Sequence, residues 1–231
     1  MQHLTRLERG TPLITRREFV VSAGALVATA ALFSSALPAF AQSQEELMRP
    51  GPLPDLVLGK ADAPVTIIEY ASMTCPHCAN FHKTTYPALK EKYIDTGKVR
   101  FIFREFPLDE LAVAASMLAR CAATEKDNKA AAPEKGLAMI SVLFNSQEKW
   151  AVREPIPPLL QIAKQAGFTQ ATFDECLKDQ KLYEAILAMR ERGSKDYKVE
   201  STPTLFINGK VQKGGASIEE MDKLIQPFLK S

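Results

Sequence analysis

The body of this sequence has no excess of either charge, no apolar run long enough to span a bilayer, no internal repeat and no low-complexity tract. Cysteine and histidine are scarce, at four and three among 231 residues. Each shortage excludes something. The formal charge of +2 belongs to residues 1–41, where Arg6, Arg9, Arg16 and Arg17 face only Glu8 and Glu18, which leaves 25 basic and 25 acidic residues beyond them. A balanced body offers no electrostatic footprint for nucleic acid or an anionic membrane. Only one C-x-x-C occurs, Cys75-Pro76-His77-Cys78, with no second such pair and no H-x-x-H. A zinc site would need two further ligands from Cys121, Cys176 and His82, and these do not sit at short metal-ligand spacing. No metal and no bound cofactor is therefore expected. Apolar residues at 46% and charged residues at 24% describe an ordinary globular chain, long enough for one sizeable domain or a domain with a large insertion.

What is present begins with a leader. A basic stretch ends at Arg16-Arg17, an apolar stretch runs from about Phe19 to Leu37, and Ala39-Phe40-Ala41 supplies small residues for a signal peptidase. Residues 1–41 read as a signal peptide cleaved near Ala41, followed by a soluble product; a retained anchor is the alternative. Thr15-Arg16-Arg17-Glu18-Phe19 resembles a twin-arginine signal, and an ordinary secretory signal with adjacent arginines remains open.

Residues 42–60 are polar and dotted with Pro50, Pro52 and Pro54, an extended lead-in. Val65 to Tyr70 is a β-rich run, and a helix is expected from the cysteine motif through Phe81, Leu89 and Tyr93 to Asp95-Thr96-Gly97. Val99 to Phe103 is a second strand, so residues 61–108 form a βαβ unit with parallel strands. Residues 109–197 carry helix signals alone. Strand character returns at Thr204 to Ile207, closed by the hairpin dipeptide Asn208-Gly209, and a last helix starts at Ser217 with Glu220 at the capping-box position. The order is βαβ, a helical stretch of about 90 residues, then ββα over residues 198–231.

The C-x-x-C motif carries the chemistry. It follows an apolar strand and opens a helix, where unpaired N–H groups and the positive end of the helix dipole favour a thiolate at Cys75. Pro76 fits the first helical turn, where a missing N–H costs least. His77 lies between the sulfurs and can add charge or a hydrogen bond. A stabilised thiolate leaves readily, so the disulfide form of such a pair is an oxidant, attacked at an exposed Cys75 sulfur with a buried Cys78 as its internal partner. Glu69, six residues earlier in an apolar strand, reads as a buried carboxylate beside this chemistry, where burial penalises the charged form; an exposed charge on an outer strand face is the alternative. His82 and Trp150 call for no more than surface or core packing.

Glu69, Cys75-Pro76-His77-Cys78, Phe81 and Thr202-Pro203-Thr204 before Asn208-Gly209 resemble the DsbA family of bacterial periplasmic thiol oxidases over nearly all of residues 61–231. The resemblance implies an α/β thioredoxin fold, βαβ…ββα, interrupted by an all-helical insertion domain. It implies a cis peptide at Thr202-Pro203 beside the cysteines, with Thr202 offering main-chain hydrogen bonds to a bound peptide, and a proton-handling role for Glu69. Some members carry a second cysteine pair in the insertion. In an oxidising compartment Cys121 and Cys176 are accordingly expected to form a structural disulfide, two buried free thiols being the alternative. The implied activity is donation of the Cys75–Cys78 disulfide to reduced exported proteins in the periplasm, with recharging by a DsbB-type membrane quinone oxidoreductase. A disulfide isomerase or reductase of the same fold, or a thioredoxin-like binding or metal-delivery module, are the other readings. The 19 residues between Ala41 and Ala61 are too few for a folded dimerisation domain, so a monomer is expected.

Overall fold

In a computed structural model describing residues 43–124 and 132–229, the chain begins with α1 (Gln44–Leu47), β1 (Leu56–Leu58), β2 (Val65–Ala71) and α2 (Pro76–Thr84). It continues through α3 (Tyr86–Leu89), a π-helical turn (Lys90–Ile94) and β3 (Val99–Glu105). Six helices follow: α4 (Glu110–Ala122), α5 (Pro133–Asn145), α6 (Gln147–Trp150), α7 (Ile156–Gln165), α8 (Gln170–Leu177) and α9 (Gln180–Tyr197). The chain then forms β4 (Thr204–Ile207), β5 (Lys210–Lys213) and α10 (Ile218–Leu229). The leader expected over residues 1–41, with its twin arginines and Ala41, lies outside the described residues.

The strands make one sheet in the order β1-β3-β2-β4-β5. β2 and β3 are parallel, and β4 lies antiparallel on the other side of β2. Central position and helices on both faces explain why all seven residues of β2 are buried, and why its sequence reads as a continuous apolar run around Glu69. The β4–β5 hairpin turns on Asn208 and Gly209, with φ of +45° and +84°. Two successive positive φ values are what a two-residue type I′ turn requires, and Asn-Gly supplies them at low cost. Asn208 also fastens the sheet, its Oδ1 accepting from the Thr66 N–H at 2.7 Å and its Nδ2 donating to the Pro64 carbonyl at 3.0 Å.

Two expectations need correction. The lead-in is not simply extended: it contains α1, and its Leu56–Leu58 pairs antiparallel with Phe101–Phe103 as an edge strand. Three residues are too few to show a period. The helix after the cysteine motif is not continuous either. Pro87 has no N–H to close a helical bond and its ring crowds the preceding turn, so the helix breaks at Thr85 before resuming as α3. It stops at Gly97, which has φ +73°.

One face of the sheet packs with α2, α4 and α5 into a core holding Phe81, Phe103, Phe144 and Trp150. The other face gathers Tyr70, Phe106, Tyr197 and Phe206. There α9 crosses so close to Tyr70 that a Cβ at Gly193 would lie 2.9 Å from the ring, so glycine is required. Buried charges are paired. Arg104 grips Asp55 with two bonds of 2.8 and 2.9 Å and donates to the Tyr70 hydroxyl, while Arg120 holds Glu105 at 2.5 and 2.7 Å and reaches the Pro54 carbonyl. These contacts anchor the lead-in to β3 and α4. Among the described residues no helix is long and apolar enough to cross a membrane.

Candidate active site

The cysteine motif sits where β2 runs out of the sheet. After Ala71 a short turn reverses into α2, held by the Cys75 N–H donating to the Ser72 carbonyl at 3.1 Å. The Ser72 hydroxyl accepts from the Leu108 N–H at 3.2 Å, and Thr74 donates to Asp109 at 2.8 Å. Asp109 in turn caps α4 through the Ala112 N–H. The starts of α2 and α4 are thus tied through one carboxylate. From the helical layer Gln147 reaches over and donates to two carbonyls of the turn, Met73 at 2.8 Å and Cys75 at 3.1 Å.

Cys75 is the N-cap of α2 and Pro76 its first residue. Both cysteines are thiols here. The Cys75 thiol donates to the Thr202 carbonyl at 3.3 Å, across a cis Thr202-Pro203 peptide. In this form that carbonyl is occupied by Cys75 rather than open to a peptide. Cys75 is also less exposed than the sequence leads one to expect, with 4% of its surface accessible against none for Cys78.

The two sulfurs differ sharply in acidity. The Cys75 pKa is lowered to about 5, chiefly because the Cys78 thiol hydrogen-bonds to its thiolate. Burial opposes this, and the Thr202 hydroxyl and the main-chain N–H groups of Cys78 and His77 reinforce it. His77 therefore contributes through its backbone, while its side chain stands exposed. Cys78 is pushed far upward by burial first, then by its bond to Cys75 and the charges of Glu69 and Cys75. In the reduced pair at neutral pH these shifts favour a thiolate at Cys75 and a thiol at Cys78. Beside the motif lies a groove of about 400 Å³ lined by His77, Asn80, Phe81, Gly215 and Ser217.

Glu69 is fully buried, which removes the outer-face alternative. Its partner is His82, whose Nε2 lies 2.8 Å from Glu69 Oε2. Sequence reasoning left His82 to packing; the available signal was its position four residues after Cys78, on the same side of the helix. No such signal exists for Gln147, whose contacts span more than 70 residues. Trp150 is a buried core residue whose indole donates to the Leu143 carbonyl. Cys121 on α4 and Cys176 on α8 are joined in a disulfide with a Cα–Cα distance of 6.2 Å. With those sulfurs bonded together and His82 held by Glu69, none of the supplementary zinc ligands is free to join the C-x-x-C pair.

A βαβ and a ββα unit sharing one sheet, with a dithiol at the first helix and a cis-proline opposite it, define the thioredoxin fold. Residues 53–227 match the thioredoxin family. The Wolbachia pipientis protein alpha-DsbA1 has a similar structure, with 32% identity and a TM-score of 0.71 over 81% of this chain and 97% of that one. BdbD from Bacillus subtilis is similar at 26% identity and a TM-score of 0.65, over 77% of this chain and 94% of that one. A Rickettsia bellii protein provisionally named a protein-disulfide oxidoreductase is 36% identical over 172 residues, which are 74% of this chain and 63% of the relative. The chain spans 60–63% of the length of five such rickettsial relatives. It belongs to the thioredoxin family, among its DsbA-type members.

Proposed function

We propose that this protein is an exported thiol:disulfide oxidoreductase that donates its Cys75–Cys78 disulfide to cysteine pairs of proteins folding in the periplasm. The observation that carries this reading is the split in acidity: a Cys75 pKa near 5 beside a strongly raised Cys78. Whatever stabilises the Cys75 thiolate stabilises the reduced pair, and so makes its disulfide the stronger oxidant. A substrate thiolate attacks Cys75 Sγ, the Cys75–Cys78 bond breaks, and Cys78 takes the electron pair and a proton. The substrate's second thiolate then attacks the substrate sulfur of the mixed disulfide and expels Cys75 as a thiolate. The substrate has lost two electrons and the pair has gained them, so the exchange itself needs no metal or prosthetic group.

Cys75, Cys78 and Glu69 carry the exchange in this reading, with Pro76 and the His77 N–H shaping the helix start. Thr202 and Pro203 offer the edge against which a substrate peptide lies, the Thr202 carbonyl having no Cys75 donor when the pair is in the disulfide form. A quinone-linked membrane oxidoreductase of DsbB type would restore the disulfide, and the protein would act as a monomer. The deciding measurement is the reduction potential of the pair, equilibrated against glutathione. An oxidase requires a value well above the roughly −270 mV of thioredoxin. A value as low as that would replace this reading with a reductase.

A further inference from the structure

We propose that His82 is a positioning residue that, through Glu69, holds ready the proton Cys78 takes up when the Cys75–Cys78 disulfide opens. This rests on the exchange reading above and adds a residue to it. His82 is buried at 3% exposure in a slot built for an aromatic ring. Phe144 stacks on it at 4.4 Å, Tyr86 lies at 4.8 Å, and Phe81 and Phe103 present their edges. A phenylalanine would fill such a slot; an imidazole there needs another reason. The reason on hand is Glu69, fully buried in β2 and hydrogen-bonded to His82 Nε2 at 2.8 Å.

An isolated carboxylate at this depth is costly, and a hydrogen-bonded imidazole lets the pair keep one proton between them. The bond fixes Oε2, leaving Oε1 buried without a hydrogen-bond partner, as is His82 Nδ1. The ionisable groups around the imidazole are Glu69 from β2, Tyr86 from α3 and, one turn back on α2, Cys78; β3 and α5 contribute the uncharged Phe103 and Phe144. The Tyr86 phenol is held protonated by burial and by the charge of Glu69. That same charge acts on Cys78. The step balances. As the substrate sulfur bonds to Cys75, the electrons of the Cys75–Cys78 bond pass to Cys78 Sγ, the pair's proton follows, and the Glu69–His82 pair is left one proton short. Recharging reverses it, with the Cys78 thiol returning its proton as its sulfur bonds to Cys75 again.

The test is the rate at which dithiothreitol reduces the disulfide of the full chain between pH 5 and 9, divided by the thiolate fraction of the reagent. The wild-type profile should show an inflection distinct from the Cys75 titration followed at 240 nm. His82→Gln keeps a donor to Glu69 but cannot carry the transferred proton; it should lose the inflection and slow the reaction about a hundredfold at pH 7, the low end for proton transfer by a placed group. The Cys75 titration should not move. In a Glu69→Gln background, His82→Gln should have no further effect, because it acts through that carboxylate. A featureless wild-type profile overturns the proposal without any variant, as does a His82→Gln profile that superimposes on wild type or an effect that multiplies with Glu69→Gln. A protein whose disulfide is as reducing as thioredoxin's, by contrast, overturns the oxidase reading while leaving these rate profiles to decide the role of His82.

Discussion

Two sulfurs three positions apart in one helix turn behave oppositely because the Cys78 thiol donates to the Cys75 thiolate at the helix end, while Cys78 itself is buried. The Thr202 side chain is part of the difference. Its hydroxyl is buried, has no hydrogen-bond partner while Cys75 is a thiol, and lowers the Cys75 pKa once the thiolate forms. Thr202→Val removes that donor. The Cys75 midpoint, read from thiolate absorbance at 240 nm, should rise by about one unit, the scale of a hydrogen bond to a charged acceptor. The reduction potential should fall with it, since the thiolate is what favours the reduced form. The same shifts set a pH dependence. A thiol whose pKa drops from 9.0 in the free side chain to about 5 in the fold contributes stability that is complete above pH 9 and lost as the pH falls through 5. Cys78, shifted upward, contributes below pH 9 and loses its contribution above it. The melting temperature of the reduced form, measured relative to the disulfide form, should therefore climb from pH 5 toward pH 9 and turn down beyond. A gap that stays flat over that range would contradict the assigned Cys75 acidity.

At the scale of elements, the dithiol turn is held by neighbours that lie far away in the chain. Gln147 donates to the Met73 carbonyl, buried in the turn, and adds a second donor to the Cys75 carbonyl, which also accepts from the Ala79 N–H at 3.1 Å. Gln147→Ala should cost about 1–3 kcal/mol in urea unfolding of the reduced protein, the penalty for stranding the buried Met73 carbonyl. Gln147→Glu, which offers no donor to either carbonyl, should be at least as damaging. What was legible in the sequence divides along the same line. The Cys75–Cys78 motif, the buried run around Glu69, the Asn208-Gly209 hairpin and the Ser217–Glu220 cap are local patterns, and each is present; the cap closes with bonds of 2.8 and 3.3 Å. The edge strand Leu56–Leu58 was hidden because three residues carry no period. The break at Thr85 was signalled by Pro87 but overridden by the apolar spacing on either side. Gln147 was missed because its partners are reached through tertiary packing, which no local pattern encodes, and His82 because its helical spacing from Cys78 does not reveal the Glu69 carboxylate it meets.

At the scale of the whole molecule, the helical stretch between β3 and β4 is stitched to itself by Cys121–Cys176, across a sequence separation of 55 residues. A bridge closing a loop of that length limits the unfolded chain by about 4 kcal/mol in the chain-entropy model. Neither sulfur belongs to the dithiol turn, whose electrostatics are set by Cys78, Thr202, the start of α2 and Glu69. Stability and redox chemistry are therefore separable in this chain. Replacing Cys121 and Cys176 together by alanine should lower the unfolding free energy by up to about 4 kcal/mol, measured by urea titration with the Cys75–Cys78 pair kept in one redox state. The 240 nm titration of Cys75 should not move. If the titration shifts while the fold survives, the second disulfide is coupled to the first pair, and the route to look for runs through the interface on which α4, tied to Thr74 through Asp109, meets the start of α2. An Asp109→Asn variant, which keeps a cap for α4 and removes the charge facing Thr74, would then reproduce the shift with the disulfide intact.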